Sequence, residues 1–159
     1  MKTKLLFVLA GISLSGCAAY SPSVPANYSG PTALIKDSVT PYSTRKADFF
    51  YLDEINGRPV LNSAVQTRIA NTGRGTDSLV PNMVENKVPL QASVFKITGH
   101  TEYSAPVQAM LYHVDSISGT VSFTPEKDKI YVVKGDLDEA HSVIWVEEEA
   151  SHRLVGEKI

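Results

Sequence analysis

The chain has one cysteine, one tryptophan and no run of like charge longer than Glu147-Glu148-Glu149. A lone thiol, Cys17, cannot close an internal disulfide, so no cystine framework staples the fold. Fifteen basic side chains stand against seventeen acidic ones, and the longest basic run is Arg45-Lys46. That balance gives no electrostatic footprint for nucleic acid. No apolar run approaches the roughly 20 residues of a spanning helix. There is no Walker loop and no Gly-x-Ser-x-Gly elbow. His100, His113, His141 and His152 stand too irregularly to set two metal ligands on one face, so neither a metal site nor a cofactor is expected. What remains, 43% hydrophobic and 20% charged over 159 residues, is the composition of one globular domain.

The amino terminus carries the sharpest signal. Lys2 and Lys4 precede the apolar stretch 5–14, and the small residues Ser15 and Gly16 lead to Cys17. This is the layout of an export signal peptide over residues 1–16. Leu14-Ser15-Gly16-Cys17 closely resembles the bacterial lipobox, in which cleavage before the cysteine is followed by acylation of its thiol and new amino group. The resemblance implies a protein held to a membrane through acyl chains on Cys17, an anchor that several chains make effectively permanent. Ala18 after the cysteine, by the same resemblance, implies the outer membrane; it does not fix the leaflet, for which a periplasm-facing position is the expectation. Residues 17–31 hold Pro22, Pro25 and Pro31 among small residues and read as a flexible tether. A single domain is expected over 32–159.

That domain reads as mostly β. In 117–124, Ile117, Gly119, Val121 and Phe123 alternate with Ser and Thr, the period of a half-buried strand. After the polar break 125–128, the segment 129–137 resumes with Tyr131, Val133, Gly135 and Leu137 on one face, and the pair reads as a hairpin. Segments 142–148 and 153–155 extend it into an antiparallel meander. Earlier, 32–36, 47–55 and 90–98 are strand candidates, and Asn56-Gly57 marks a tight turn after which Pro59 keeps the returning strand short. Segment 62–71 fits a helix, with Ser63-x-x-Gln66 as capping box and Gly73 past its end, or a strand nearly as well. Segment 106–114 is equally two-sided, and its neighbours favour a strand. Seven or eight short strands make a β-sandwich or an open barrel.

Residues 117–149, ISGTVSFTPEKDKIYVVKGDL followed by VIWVEEE, resemble the C-terminal part of small bacterial envelope lipoproteins. That resemblance implies an antiparallel sandwich of immunoglobulin-like or transthyretin-like kind, serving as an accessory or binding module.

Candidate chemistry is sparse. Gly73 and Gly75 let backbone amides approach a ligand, and Arg74, with Arg68 upstream, has the fork to grip a carboxylate or phosphate. Arg68, Arg74 and Gly75 are therefore the candidate ligand-binding residues, although a helix C-cap explains the same glycines. His100 and Glu102, two apart, share a face of an extended segment. Tyr103, Tyr112, Tyr131 and Trp145 offer stacking surface for a glycan, although the run around Trp145 places it in the core. Glu147-Glu148-Glu149 reads as a solvated strand end. The expected function is non-enzymatic: a lipid-anchored module that binds an envelope protein or polysaccharide. The alternative is a small envelope hydrolase using His100 or His113 with nearby carboxylates.

Overall fold

The structure is a computed structural model that describes residues 20–75 and 77–159. The expected signal segment and Cys17 lie outside the described residues. Two sheets face each other as a β-sandwich. One has the spatial order β10 (Leu154–Val155), β9 (Val143–Glu148), β8 (Ile130–Asp136), β1 (Thr32–Lys36), β5 (Glu85–Pro89). The other runs β2 (Ser38–Pro41), β3 (Lys46–Ile55), β6 (Ser93–Tyr103), β7 (Ser116–Phe123), with β4 (Arg58–Pro59) turned back onto β3. Helices α1 (Ser63–Asn71) and α2 (Pro106–Leu111) complete the chain. Pairing is antiparallel except between β1 and β8, where Leu34, Ile35 and Lys36 run parallel to Ile130, Tyr131 and Val132.

Strand alternation fills the space between the sheets. Ile35, Phe50, Leu52, Phe95, Ile97, Val133 and Ile144 are each exposed by 1% or less and form one cluster with residues of both sheets. Removing these side chains from water is the main favourable term in folding, at ~25 cal/mol per Å² of apolar surface. The Phe50 ring fits because its neighbour is glycine: a Cβ on Gly135 would stand 2.3 Å from Phe50 Cδ1.

The hairpin expected between 117–124 and 129–137 is not formed. β7 pairs with β6 in one sheet, β8 pairs with β1 and β9 in the other, and residues 124–129 cross the sandwich. The alternation was real but its meaning was two-sided. Phe123 and Tyr131 meet ring to ring at 5.1 Å across the core, and inward faces look alike whether strands lie side by side or face to face. The strand expected at 90–98 is present with shifted bounds, as β6 begins at Ser93 and runs on to Tyr103, while a separate strand, β5, ends at Pro89.

Segment 62–71 is helical, and its cap lies one residue before the expected Ser63: Asn62 Oδ1 accepts from Val65 N at 3.0 Å. Segment 106–114 is a helix over Pro106–Leu111 rather than a strand. Pro106 occupies the first turn, where its fixed φ favours helix, and Gln108 Oε1 accepts from Ala105 N at 3.2 Å. Part of the expected tether lies on the body. Ser21 N donates to Pro59 O at 2.8 Å, and Tyr28 Oη accepts from Leu90 N at 3.3 Å.

Asp37 sits at the single residue between β1 and β2, where the chain changes sheets. Its carboxylate accepts from Leu52 N at 3.0 Å, Ser63 N at 2.8 Å and Ser63 Oγ at 2.8 Å. Burial pushes its pKa from 3.8 up to about 7 against the opposing pull of those hydrogen bonds. A raised carboxyl pKa means that the folded state holds this proton more tightly. The contribution to stability is fullest below pH 4 and declines as pH rises toward 7. Asp37→Ala leaves two buried amides unpaired, each costing about 1–3 kcal/mol, and is expected to lower the urea midpoint at every pH. The gap between wild type and variant is expected to narrow from pH 4 to pH 7; a gap that widens with pH contradicts this assignment.

Candidate functional site

The candidate site is built on the outer face of the β2–β3–β6–β7 sheet, near the end where β3 begins and β6 finishes. The register sets Ala47 opposite Glu102 and Phe49 opposite His100, and residues directly opposite share a face. Ala47 and Phe49 are buried there under Ala64 of α1, with Val39, Tyr51 and Leu79 around them. The helix thus covers part of the face and leaves the rest open.

The uncovered part is a cavity of about 650 Å³. Arg68, Thr72 and Gly75 contribute from α1 and its following loop, His100 and Glu102 from β6, and Pro106 and Ala109 from α2. In its lining the Arg68 guanidinium forms an ion pair with Glu102 Oε1, and His100 Nε2 stands 3.8 Å from the same oxygen. The Glu102 side chain is 12% exposed, whereas that of Arg68 is 59% exposed. Burial pulls the Arg68 guanidinium pKa down, but hydrogen bonding and attraction to Glu102 more than offset this and leave it raised. The Tyr51 phenol beneath is held neutral, mainly by burial and then by Asp53 and Glu102. The cavity combines apolar walls from Leu79, Ala105 and Ala109 with one compensated charge pair and an imidazole. Such a mixture suits an amphipathic guest better than a bare anion.

The candidate ligand-binding residues divide. Arg68 and Gly75 line the cavity, but Arg68 is already paired with Glu102, and Arg74 is exposed on the loop and does not line it. The loop is fixed by Asn71, a residue with no such role expected from sequence. Its Nδ2 donates to Thr67 O at 2.7 Å and Val80 O at 2.8 Å, and its Oδ1 accepts from Val80 N at 3.0 Å. Gly73 and Gly75, at φ +81° and +88°, make the left-handed turns between.

The exposed apolar surface of α2 was also missed. Helix α2 buries none of its residues, and Val107, Met110 and Leu111 are exposed by 52%, 85% and 73%. Tyr112 stacks on Tyr103 at 5.8 Å, and Tyr103 Oη donates to His113 O at 2.7 Å. His113 Nε2 lies 2.8 Å from Asp115 Oδ1. The four aromatic residues considered for a stacking platform do not assemble. Tyr131 is in the core, and Trp145 lies on the outer side of its strand, its Nε1 donating to Glu147 Oε2 at 2.9 Å with Lys158 Nζ 4.0 Å from its ring. The expected core position of Trp145 is thus corrected, because β9 turns Ile144 and Val146 inward instead. Glu148 is buried rather than solvated, paired with Lys129 and accepting from Ser151 Oγ at 3.0 Å. Among the described residues, no group of three or more His, Cys, Asp or Glu is placed to hold a metal ion.

No family model, no curated protein and no solved structure matches this chain. The site is therefore interpreted from its own geometry.

Asn71→Ala removes the two hydrogen bonds that tie Val80, beyond the loop, to α1, and a third within the helix to Thr67. Trypsin cleavage after Arg74 in the native protein is expected to accelerate about tenfold or more, since each 1.4 kcal/mol of easier opening multiplies the open population by ten. Unchanged cleavage kinetics would show that other contacts hold the loop.

Proposed function

We propose that this chain is a non-enzymatic lipoprotein, anchored through Cys17 in the outer membrane and facing the periplasm, whose sandwich binds another envelope protein at the cavity beside α2. The observation that carries the reading is the exposed apolar surface of Val107, Met110 and Leu111 on the helix whose Pro106 and Ala109 line a cavity that also holds a compensated ion pair. Contiguous apolar exposure rimmed by polar groups marks protein contacts, where Met, Arg and aromatic residues are enriched. A polysaccharide would be served by hydroxyl-facing polar groups and open aromatic faces. Here Tyr103 and Tyr112 stack on each other.

Ser21 is bound to Pro59 and bridges to Val60. An acylated Cys17, four residues before Ser21, would hold that contact within about 14 Å of the bilayer surface. Confinement to the membrane would raise the effective concentration of the binding surface for neighbouring proteins.

One observation favours a second reading, a small hydrolase. The His113–Asp115 pair at 2.8 Å has the geometry of an oriented general base. Hydrolysis of an ester or amide that disappears in His113→Ala would establish that reading in place of the first.

Two measurements test the first reading. Metabolic labelling with a fatty acid is expected to mark the wild-type chain and not Cys17→Ser. A photo-crosslinker at position 110 in intact cells is expected to give a discrete protein adduct that Ala109→Trp, which fills the cavity, abolishes. That variant is expected to change stability by no more than about 0.5 kcal/mol, as surface substitutions do. Retention of the protein on isolated cell-wall polysaccharide, with no protein adduct, would shift the partner class.

A further inference from the structure

The four edges of the two sheets are not equally protected. β2 has four residues and ends in Pro41, β5 carries Glu85, Lys87 and Pro89, and β10 has two residues. Shortness, proline and charge are the devices that keep an edge from pairing with another chain. β7 has none of them. It is eight residues long, SISGTVSF, without charge or proline, and pairs with β6 through eight successive partners with no register shift. Among the described residues, no loop or tail forms a backbone hydrogen bond to Ser116–Phe123. The carboxy-terminal residue Ile159 comes close only on the inner side, where a Cβ on Gly119 would meet it at 2.5 Å.

We propose that β7 is a self-association edge, along which two copies of this chain pair antiparallel and join their β2–β3–β6–β7 sheets into one. The occupant follows from the strand's chemistry. An identical strand paired with itself brings each charge near its own kind, a penalty that uncharged β7 avoids. A foreign strand would find no charge on β7 to select it. Ser116, Ser118, Thr120 and Ser122 lie on the outer face, with Ile117, Gly119, Val121 and Phe123 turned the other way. A two-fold axis perpendicular to the sheet, through Gly119 or Thr120, sets hydroxyl residues opposite hydroxyl residues and apolar opposite apolar. Hydroxyl pairing of this kind already exists on the other side of the strand, where Thr98 Oγ1 and Ser118 Oγ stand 2.9 Å apart between register partners. The contact is isologous and closes at two copies, so it yields a dimer and not a fibre.

The test uses the full chain in density-matched detergent micelles, with sedimentation equilibrium reading the protein mass. Wild type is expected at twice the chain mass. Thr120→Lys and Thr120→Glu, each placing like charges on or beside the axis from an exposed position, are each expected to halve that mass while leaving the circular dichroism spectrum unchanged. An equimolar mixture of the two variants is expected to recover the dimer, since opposite charges then face each other. A monomeric wild type, a dimer that survives both substitutions, or a mixture that stays monomeric overturns the proposal.

Discussion

The sandwich depends on how the chain changes sheets between β1 and β2, and one buried carboxylate governs that step. Asp37 receives an amide from β3 through Leu52 and an amide and a hydroxyl from Ser63 at the start of α1. Its own amide donates to Val84 O at 3.2 Å, and Ser63 Oγ accepts from Val84 N at 2.7 Å, which brings in the approach to β5. Strands of both sheets and the first turn of the helix therefore converge on one side chain. The position near the helix N-terminus also favours negative charge there. Burial opposes that charge, and the raised pKa measures the conflict between the two effects. An apolar residue at this point would relieve the desolvation but would leave the Leu52 and Ser63 amides without partners, the more expensive outcome.

The candidate site inherits its geometry from that junction. With its first residue fixed to Asp37 and its cap supplied by Asn62, α1 crosses the outer face of β3, where Ala64 closes over Ala47 and Phe49. The direction of the helix then carries Arg68 to Glu102 and Asn71 to the loop it clamps. The ion pair in the cavity follows from a placement set by packing and backbone hydrogen bonds, as expected where an exposed guanidinium adds little stability of its own. Its value is in orientation: Glu102 is held against Arg68 and faces His100 across 3.8 Å, so the charged centre keeps one arrangement.

Sequence periodicity disclosed which faces of β7 and β8 turn inward, because burial imposes period two whatever the neighbours are. It could not disclose the neighbours. The polar break 125–128 is as short as a hairpin turn, yet it spans the sandwich, and Phe123 meets Tyr131 through the core. The glycine loop with Arg68 was legible as a possible site from residue types alone. Glu102 was paired in sequence with His100, whereas its ion-pair partner comes from a helix 34 positions away. Asn71 and the exposed α2 surface gave no sequence signal: a buried asparagine that clamps a loop looks like any helix-ending asparagine, and an apolar stripe looks the same buried or bare.

The bare stripe on α2 is the feature least explained by stability. A helix of six residues is marginal in water on its own, and here it is held by Pro106, by Gln108 reaching back to Ala105, and by Tyr112 stacking on Tyr103. None of those devices uses Val107, Met110 or Leu111. Replacing these three with polar residues would leave the core cluster and the caps intact, so their exposure is not a by-product of folding. Large apolar side chains maintained in water against the ordinary tendency to bury them imply a surface that is covered part of the time. Pro106 and Ala109 of the same short helix line the cavity that holds Arg68 and Glu102, so a partner docked on the stripe would stand beside that space.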